Sequence, residues 1–454
     1  MKTSIRIASG QGFWGDLQNA PVDQVRKGPI HYLVMDYLAE VTMSILCKQK
    51  RRDPNLGYAT DLITLLEDLL PDIALKNIKI ITNGGGANPM GCKDAIFALA
   101  KRQGIKNLRV GVVHGDDIIQ QIESIHSHGV SLENMETREP LSSIRSRLVS
   151  ANAYLGAFPI VEALKKGAQL VITGRTTDTG LTAAPMIYEF GWPEEDWDRL
   201  AAGIVAGHIL ECGGQASGGN FSGDWKSVPD LAHIGFPIAE AYPNGKFIIT
   251  KHRDTGGLVS MATVKEQLLY EIGDPREYIT PDCIVDFTTI RLNDIGENEV
   301  EVTGVKGKPP TAFYKVSMAY SDGYTAYGTL TYAWPDALDK ARKADEILRR
   351  RLADLDLSFD EIHTEFLGYD SCFGPNAPRV GDLNEVVLRI GVRSGNKTAM
   401  ERFSREIAPL ILTGPPSVTG FGGGRPKPIE VVSYWPALVP KSLVAPQVSV
   451  VESS

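Results

Sequence analysis

The residues with the clearest chemical potential sit in glycine-rich segments that each follow a short apolar run. The first, TNGGGANPMGC at 82–92, leads into a helical pattern. Consecutive glycines let the backbone pass close to a ligand and turn N–H groups towards it, and a following helix N-terminus favours an anion. Asn83, Gly84, Gly85, Gly86 and Asn88 are therefore candidates for holding a carboxylate or phosphate. The alternative is a tight strand-to-helix turn. The segment has neither Walker A nor G-x-G-x-x-G spacing, so nucleotide binding or phosphotransfer is only a lesser alternative.

The second, VITGRTTDTGLTAAP at 171–185, continues past Gly174 to Arg175 and Asp178. A guanidinium can clamp a carboxylate through two parallel hydrogen bonds, whereas Asp178 is either a helix cap or an acid/base group. In the third, GHILECGGQASGGNFSGDW at 207–225, a helical pattern beginning near Asp198 carries His208, Glu211 and Cys212. His208 and Cys212 are four apart and share a helix face. The imidazole could promote a thiolate, or both could be core residues. No metal is assigned there, because the other ligands cannot be named. Glu211, beside the glycines, is a separate acid/base candidate. The fourth, KHRDTGGLVS at 251–260, offers Lys251, His252 and the backbone of Gly256 and Gly257 to an anion, or else is a solvated turn. Two further signals are HGDD at 114–117, suited to Mg²⁺ or a helix cap, and GGGRPKP at 422–428, where Arg425 and Lys427 could close over a site.

The elements that must position these groups are legible as period and punctuation. Strand-like runs at 4–8, 32–35, 78–82, 108–113 and 170–173 alternate with helical patterns at 38–50, 62–75, 91–103, 117–127, 159–166 and 178–190. Strand, helix, strand in succession implies a parallel sheet whose sites lie at the strands' carboxyl ends. From about residue 246 the strands lengthen and alternate with polar residues, and SDG at 321–323 suggests a tight reversal. The expected fold class is α/β: an N-terminal parallel sheet with helices on both faces over 1–245, and a C-terminal α+β domain with an antiparallel sheet over 246–412. A Gly/Pro-rich arm over 413–454 follows.

Composition narrows the field. The chain has 454 residues, 43% hydrophobic and 22% charged, with 47 basic against 55 acidic residues and a net charge of -8. That is globular, and it lacks the basic stripe a nucleic acid demands. Five scattered cysteines without a CxxC pair suggest neither a disulfide scaffold nor a zinc knuckle. No signal-like or membrane-length apolar stretch is evident, so the expected location is cytoplasmic and no membrane is expected as partner. Without a G-x-S-x-G elbow, HExxH, Rossmann or kinase set, no cofactor is implied by motif.

Several segments together resemble the acyclic terpene utilization family A proteins. They are GFWGD at 12–16, YLVMDYLAE at 32–40, DPNLGYATD at 53–61, the triple-glycine turn, ANAYLGAFPIVEAL at 151–164, ITGRTTD at 172–178, GHILECGGQASGG from 207 and IGFPIAE at 234–240. The likeness runs in order over essentially the whole chain. It implies citronellol and geraniol catabolism, with branched carboxylic acids or their CoA thioesters as substrates. Some members carry an extra C-terminal module, which here would be absent or sit on a separate small partner chain.

The expectation is thus an enzyme acting on a small carboxylate or acyl-CoA, a lyase or hydro-lyase that moves a proton next to a carbonyl. Glu211, His208, Asp178 and Cys212 are its catalytic candidates, and Arg175 with the glycine-rich strand ends and Arg425 its substrate-binding set. The competing expectation is a non-catalytic binding or assembly subunit of an acyl-CoA degrading complex. A homo-oligomer is expected in either case.

Overall fold

Strand and helix alternate through the first half of the chain in the computed structural model, which describes residues 2–378, 381–420 and 424–453. The order is β1 (Ile5–Gln11), α1 (Ala20–Arg26), β2 (Tyr32–Met35), α2 (Glu40–Arg52), α3 (Thr60–Lys76), β3 (Lys79–Thr82), α4 (Pro89–Arg102), β4 (Arg109–His114), α5 (Ile122–Ser127), β5 (Leu148–Ala153), α6 (Phe158–Lys165), β6 (Leu170–Thr173), α7 (Asp178–Phe190) and α8 (Trp197–Leu210). Then come β7 (Ile238–Ala241), β8 (Phe247–Thr250), α9 (Met261–Leu269), β9 (Tyr278–Ile279), β10 (Ile284–Asp286), β11 (Arg291–Gly296), β12 (Glu299–Thr303), β13 (Lys306–Lys308) and β14 (Phe313–Ala333). The last are α10 (Ala337–Asp354), β15 (Glu361–Leu367), β16 (Glu385–Ser394), α11 (Lys397–Glu406), α12 (Leu410–Thr413), β17 (Val418–Thr419), β18 (Ile429–Pro440) and β19 (Gln447–Glu452).

Two compact units result: one of residues 1–319 and 434–454, the other Tyr320–Ser433. In the larger unit ten strands form one sheet in the order β11-β12-β8-β7-β1-β2-β3-β6-β4-β19. Strands β1, β2, β3, β6 and β4 are parallel, and antiparallel strands extend both edges. The nearly unbroken apolar runs YLVM and LVIT are wholly buried, as strands covered on both faces must be. The change of texture near residue 246 marks antiparallel pairing within this same sheet, because β8 bonds to β7 and β7 to β1. The break between compact units falls instead within β14.

Helices α1, α3 and α4 pack together against the sheet; α3 contributes a buried stripe of Leu62, Leu65, Leu66, Leu69, Leu70 and Ile73. Helices α6, α7 and α8 form a second packed set. Strand β6 lies between β3 and β4, so the chain doubles back after β4, and a right-handed return through α6 puts this set on the opposite face. The chain leaving β3 enters α4 and the chain leaving β6 enters α7. Their carboxyl ends therefore part to opposite faces, which is where a crevice opens in such sheets.

In the smaller unit β15, β16 and β14 pair antiparallel, and α10 and α11 cover their apolar face at Val386, Leu388, Ile390 and Val392. The reversal expected at 321–323 does not form. Gly323 takes a left-handed φ of 81° within β14, Asp322 is held by Arg393 and Ser433, and pairing with β16 begins at Tyr324.

Candidate functional site

The polar chain at the sheet's crevice begins where three neighbouring strands end. Asp36 follows β2, Asn83 follows β3, and Arg175 lies just beyond β6. The Asn83 amide donates to Asp36 Oδ1 at 2.7 Å and accepts from the Tyr37 N–H at 2.8 Å. The Arg175 guanidinium, 2% exposed, donates through Nη1 to the Leu38 carbonyl at 2.7 Å and stands 3.2 Å from Asp178 Oδ1. The Tyr154 ring covers it at 4.2 Å. Burial, then the charge of Asp178, push the Asp36 carboxyl well above the ordinary range, against Arg175 and the Asn83 bond. Burial disfavours the Arg175 charge, but Asp178, Tyr154 and Asp36 outweigh it and hold the guanidinium protonated. The buried guanidinium thus faces Asp178, while Asp36 is held towards its neutral form.

Asp178 is the first residue of α7, one place after the N-cap residue Thr177, and lies in the helix's first turn. Helix α7 can bring it towards the end of α8 because the two helices touch closely: a Cβ on Gly207 would lie 2.4 Å from the Thr179 carbonyl oxygen, and one on Gly203 3.2 Å from Ala183. At the end of α8, His208 Nδ1 stands 2.8 Å from Glu211 Oε1. The imidazole is 1% exposed and lies edge-on to Tyr278 and Phe287. Burial opposes its charge, but Glu211 and the carbonyls of Leu268 and Gln267 overcome this and raise its pKa. Glu211 is itself pushed up, chiefly by burial and also by Asp178 and Glu271, against the pull of His208. The pair therefore titrates as a unit that holds a proton ready for exchange.

Asp178, His208 and Glu211 line one cavity of about 430 Å³. Its apolar wall comes from Met135, Tyr278, Ile279, Phe313 and Leu438. Lys315 and Glu271, both exposed, stand at its mouth. The Lys315 ammonium lies 5.3 Å and 5.6 Å from the ring centres of Tyr154 and Tyr434. The volume is in the lower part of the small-molecule range of about 300–1,000 Å³.

The other candidates are placed elsewhere. Gly84, Gly85 and Gly86 are buried in a tight turn whose N–H groups are used internally, Gly84 to the Thr82 hydroxyl and Gly86 to the Asn83 carbonyl. Gly85 is needed for packing, since a Cβ there would fall 2.5 Å from Ile172. Asn88 caps α4 at the Gly91 N–H and donates to Pro54 and Leu56. Lys251 and His252 line a separate open cleft of about 870 Å³ with Arg6 and Glu297. Lys251 donates to the Thr255 carbonyl, and the N–H groups of Gly256 and Gly257 bond to His233 and Pro229. Cys212 does not line the cavity, and burial with the charge of Glu211 pushes its thiol up to about 12, opposite to what a nucleophilic thiolate needs. Arg425 is exposed in the smaller unit; Gly422 and Gly423 lie outside the described residues. Asp116 of the HGDD segment is buried and accepts from the Arg175 N–H and the Asn152 amide. Asp178, His208 and Glu211 thus share one cavity at α7 and α8, and the glycine-rich bends at 82–92 and 251–260 do not line it.

Three participants escaped the sequence reading. Asp36 directly follows the apolar run of β2, a signal of the same form as Asn83 after β3. Tyr154 and Lys315 carry no such signal, because only tertiary folding brings β5 and β14 beside α7. Among the described residues, no group of three His, Cys, Asp or Glu is arranged to hold a metal ion, and no helix is long and apolar enough to cross a membrane. Residues 5–450 match a family described as acyclic terpene utilisation family protein AtuA. No curated protein and no solved structure matches the chain.

Proposed function

The chain belongs to the acyclic terpene utilisation family, and from that premise we propose that it is a catabolic enzyme moving a proton beside the carbonyl of a branched carboxylate or acyl thioester. The observation carrying this reading is a single cavity that joins an apolar wall to two carboxyl groups, each with its own cation: Asp178 with Arg175, and Glu211 with His208. An apolar wall suits a hydrocarbon chain. Two carboxyl groups in different environments suit opposite proton-transfer roles.

In a hydro-lyase step, the ionised Asp178 takes the proton next to the carbonyl. The C–H electron pair becomes the new C=C bond. The hydroxyl one carbon further leaves as water with the proton supplied from the Glu211–His208 pair. The reverse step consumes water and restores both protons. Arg175, which is buried, holds Asp178 in its ionised form and has no part in gripping the ligand. His208 keeps the exchangeable proton at Glu211.

The test is hydrogen exchange. Purified protein in D₂O is expected to place deuterium beside the carbonyl of a branched acyl ligand, and Asp178→Asn is expected to abolish this while the ligand still binds. Binding without exchange in the unaltered protein would instead favour a non-catalytic binding subunit.

A further inference from the structure

Resting on the proposed function of this cavity, we infer that it takes its acyl ligand as a thioester and discriminates against the free carboxylate. The inner end of the cavity carries two carboxyl side chains, Asp178 and Glu211. The cations near them are already engaged: Arg175 is 2% exposed, bonded to Leu38, paired with Asp178 and covered by the Tyr154 ring. His208 is 1% exposed and faces Glu211. A ligand carboxylate placed there would stand against two carboxyl groups whose cations, Arg175 and His208, are already paired with them, in a partly desolvated space. A thioester carbonyl is neutral and can accept a hydrogen bond from the protonated member of the Glu211–His208 pair.

The mouth has the complementary character. Four large apolar side chains remain partly exposed around it, Met135 at 39%, Ile279 at 60%, Phe313 at 44% and Leu438 at 41%. Apolar surface gathered at one opening marks a binding face, here for the acyl chain and the carrier arm. Lys315 stands at the same opening with its ammonium over two tyrosine rings. It is placed to meet a phosphate of the carrier at the opening.

The experiment is calorimetric titration at neutral pH with isovaleryl-CoA, isovaleryl-pantetheine and isovalerate. The CoA ester is expected to bind at least about tenfold more tightly than the acid, the scale of a like-charge penalty only partly screened by solvent. Asp178→Asn and Glu211→Gln, made separately, are each expected to strengthen binding of the acid and narrow that gap. Lys315→Ala is expected to weaken the CoA ester several-fold and leave the pantetheine ester, which lacks phosphates, unchanged. Equal binding of acid and CoA ester by the unaltered protein would overturn the inference, as would a gap that persists unchanged in both neutral variants. If the binding order is as expected but no deuterium exchange occurs with any ligand, the thioester preference stands and the catalytic reading falls.

Discussion

Two carboxyl groups in this protein differ in role because their neighbours differ. Asp178 faces a buried guanidinium, whereas Glu211 shares a proton with a buried imidazole. Loss of a positioned acid/base group costs about 10²–10⁴-fold in rate. Glu211→Gln should therefore lower the loss of water from a 3-hydroxyacyl ligand by about that factor while the thermal unfolding midpoint moves little; retained turnover would remove Glu211 from the chemistry. Cys212→Ser should keep activity, and the native thiol should resist alkylation at neutral pH, since its pKa is pushed up to about 12. Rapid modification accompanied by inactivation would revive a nucleophilic role. At this scale the types and spacing of His208 and Glu211 marked them as acid/base candidates, and the structure places both on one cavity with Asp178. Arg175 was open between a ligand and an acidic partner, since a guanidinium at a strand end looks the same in either case, and it stands against Asp178.

The elements explain why these side chains meet. Strands β2, β3 and β6 are adjacent and parallel, so Asp36, Asn83 and Arg175 gather at one end of the sheet. Asp36 is buried and neutral in this network, so Asp36→Asn should be tolerated. Asn83→Asp would set a second carboxyl against it and should cost about 2 kcal/mol or more. Comparable melting temperatures for the two variants would contradict the charge assignment. The contact of α7 with α8 depends on Gly207. A methyl there would press on the Thr179 carbonyl, so Gly207→Ala should destabilise by about 1–3 kcal/mol and impair exchange, as overpacking does. The parallel strands and the helices between them were readable from apolar period alone. The triple-glycine turn was readable as an element but not in purpose, because packing against Ile172 and contact with a ligand demand the same small residue.

At the level of the whole molecule, the parallel core and the antiparallel strands were foreseeable, whereas the joining of β7, β8, β11, β12 and β19 to one ten-stranded sheet was not. The links of β7 to β1, β12 to β8 and β19 to β4 join segments far apart in sequence, and such pairing leaves no local trace. The continuation of β14 through 321–323 was hidden for a related reason: the Asp-Gly signal at 322–323 is overridden by Arg393 and Ser433, which reach Asp322 from other strands. The packed interior also sets a pH dependence. Burial raises the Asp116 carboxyl from 3.8 to about 6, partly offset by the Arg175 N–H and the Asn152 amide. The folded state then binds more protons than the unfolded one across that window, so this contribution to stability is greatest below about pH 4 and declines until about pH 6. The decline amounts to about 3 kcal/mol. Urea unfolding from pH 4 to 7 should show Asp116→Asn gaining on the unaltered protein as pH rises to 6; a difference independent of pH would contradict this.

The central claim is that the cavity beside α7 and α8 receives the reacting end of the ligand. The most direct measurement is a crystal structure with a branched acyl-CoA bound. The account expects the thioester carbonyl between Asp178 and Glu211, the chain against Phe313 and Ile279, and the carrier leaving past Lys315. Density for the acyl group in the cleft beside Lys251 and His252, with this cavity holding only solvent, would contradict it.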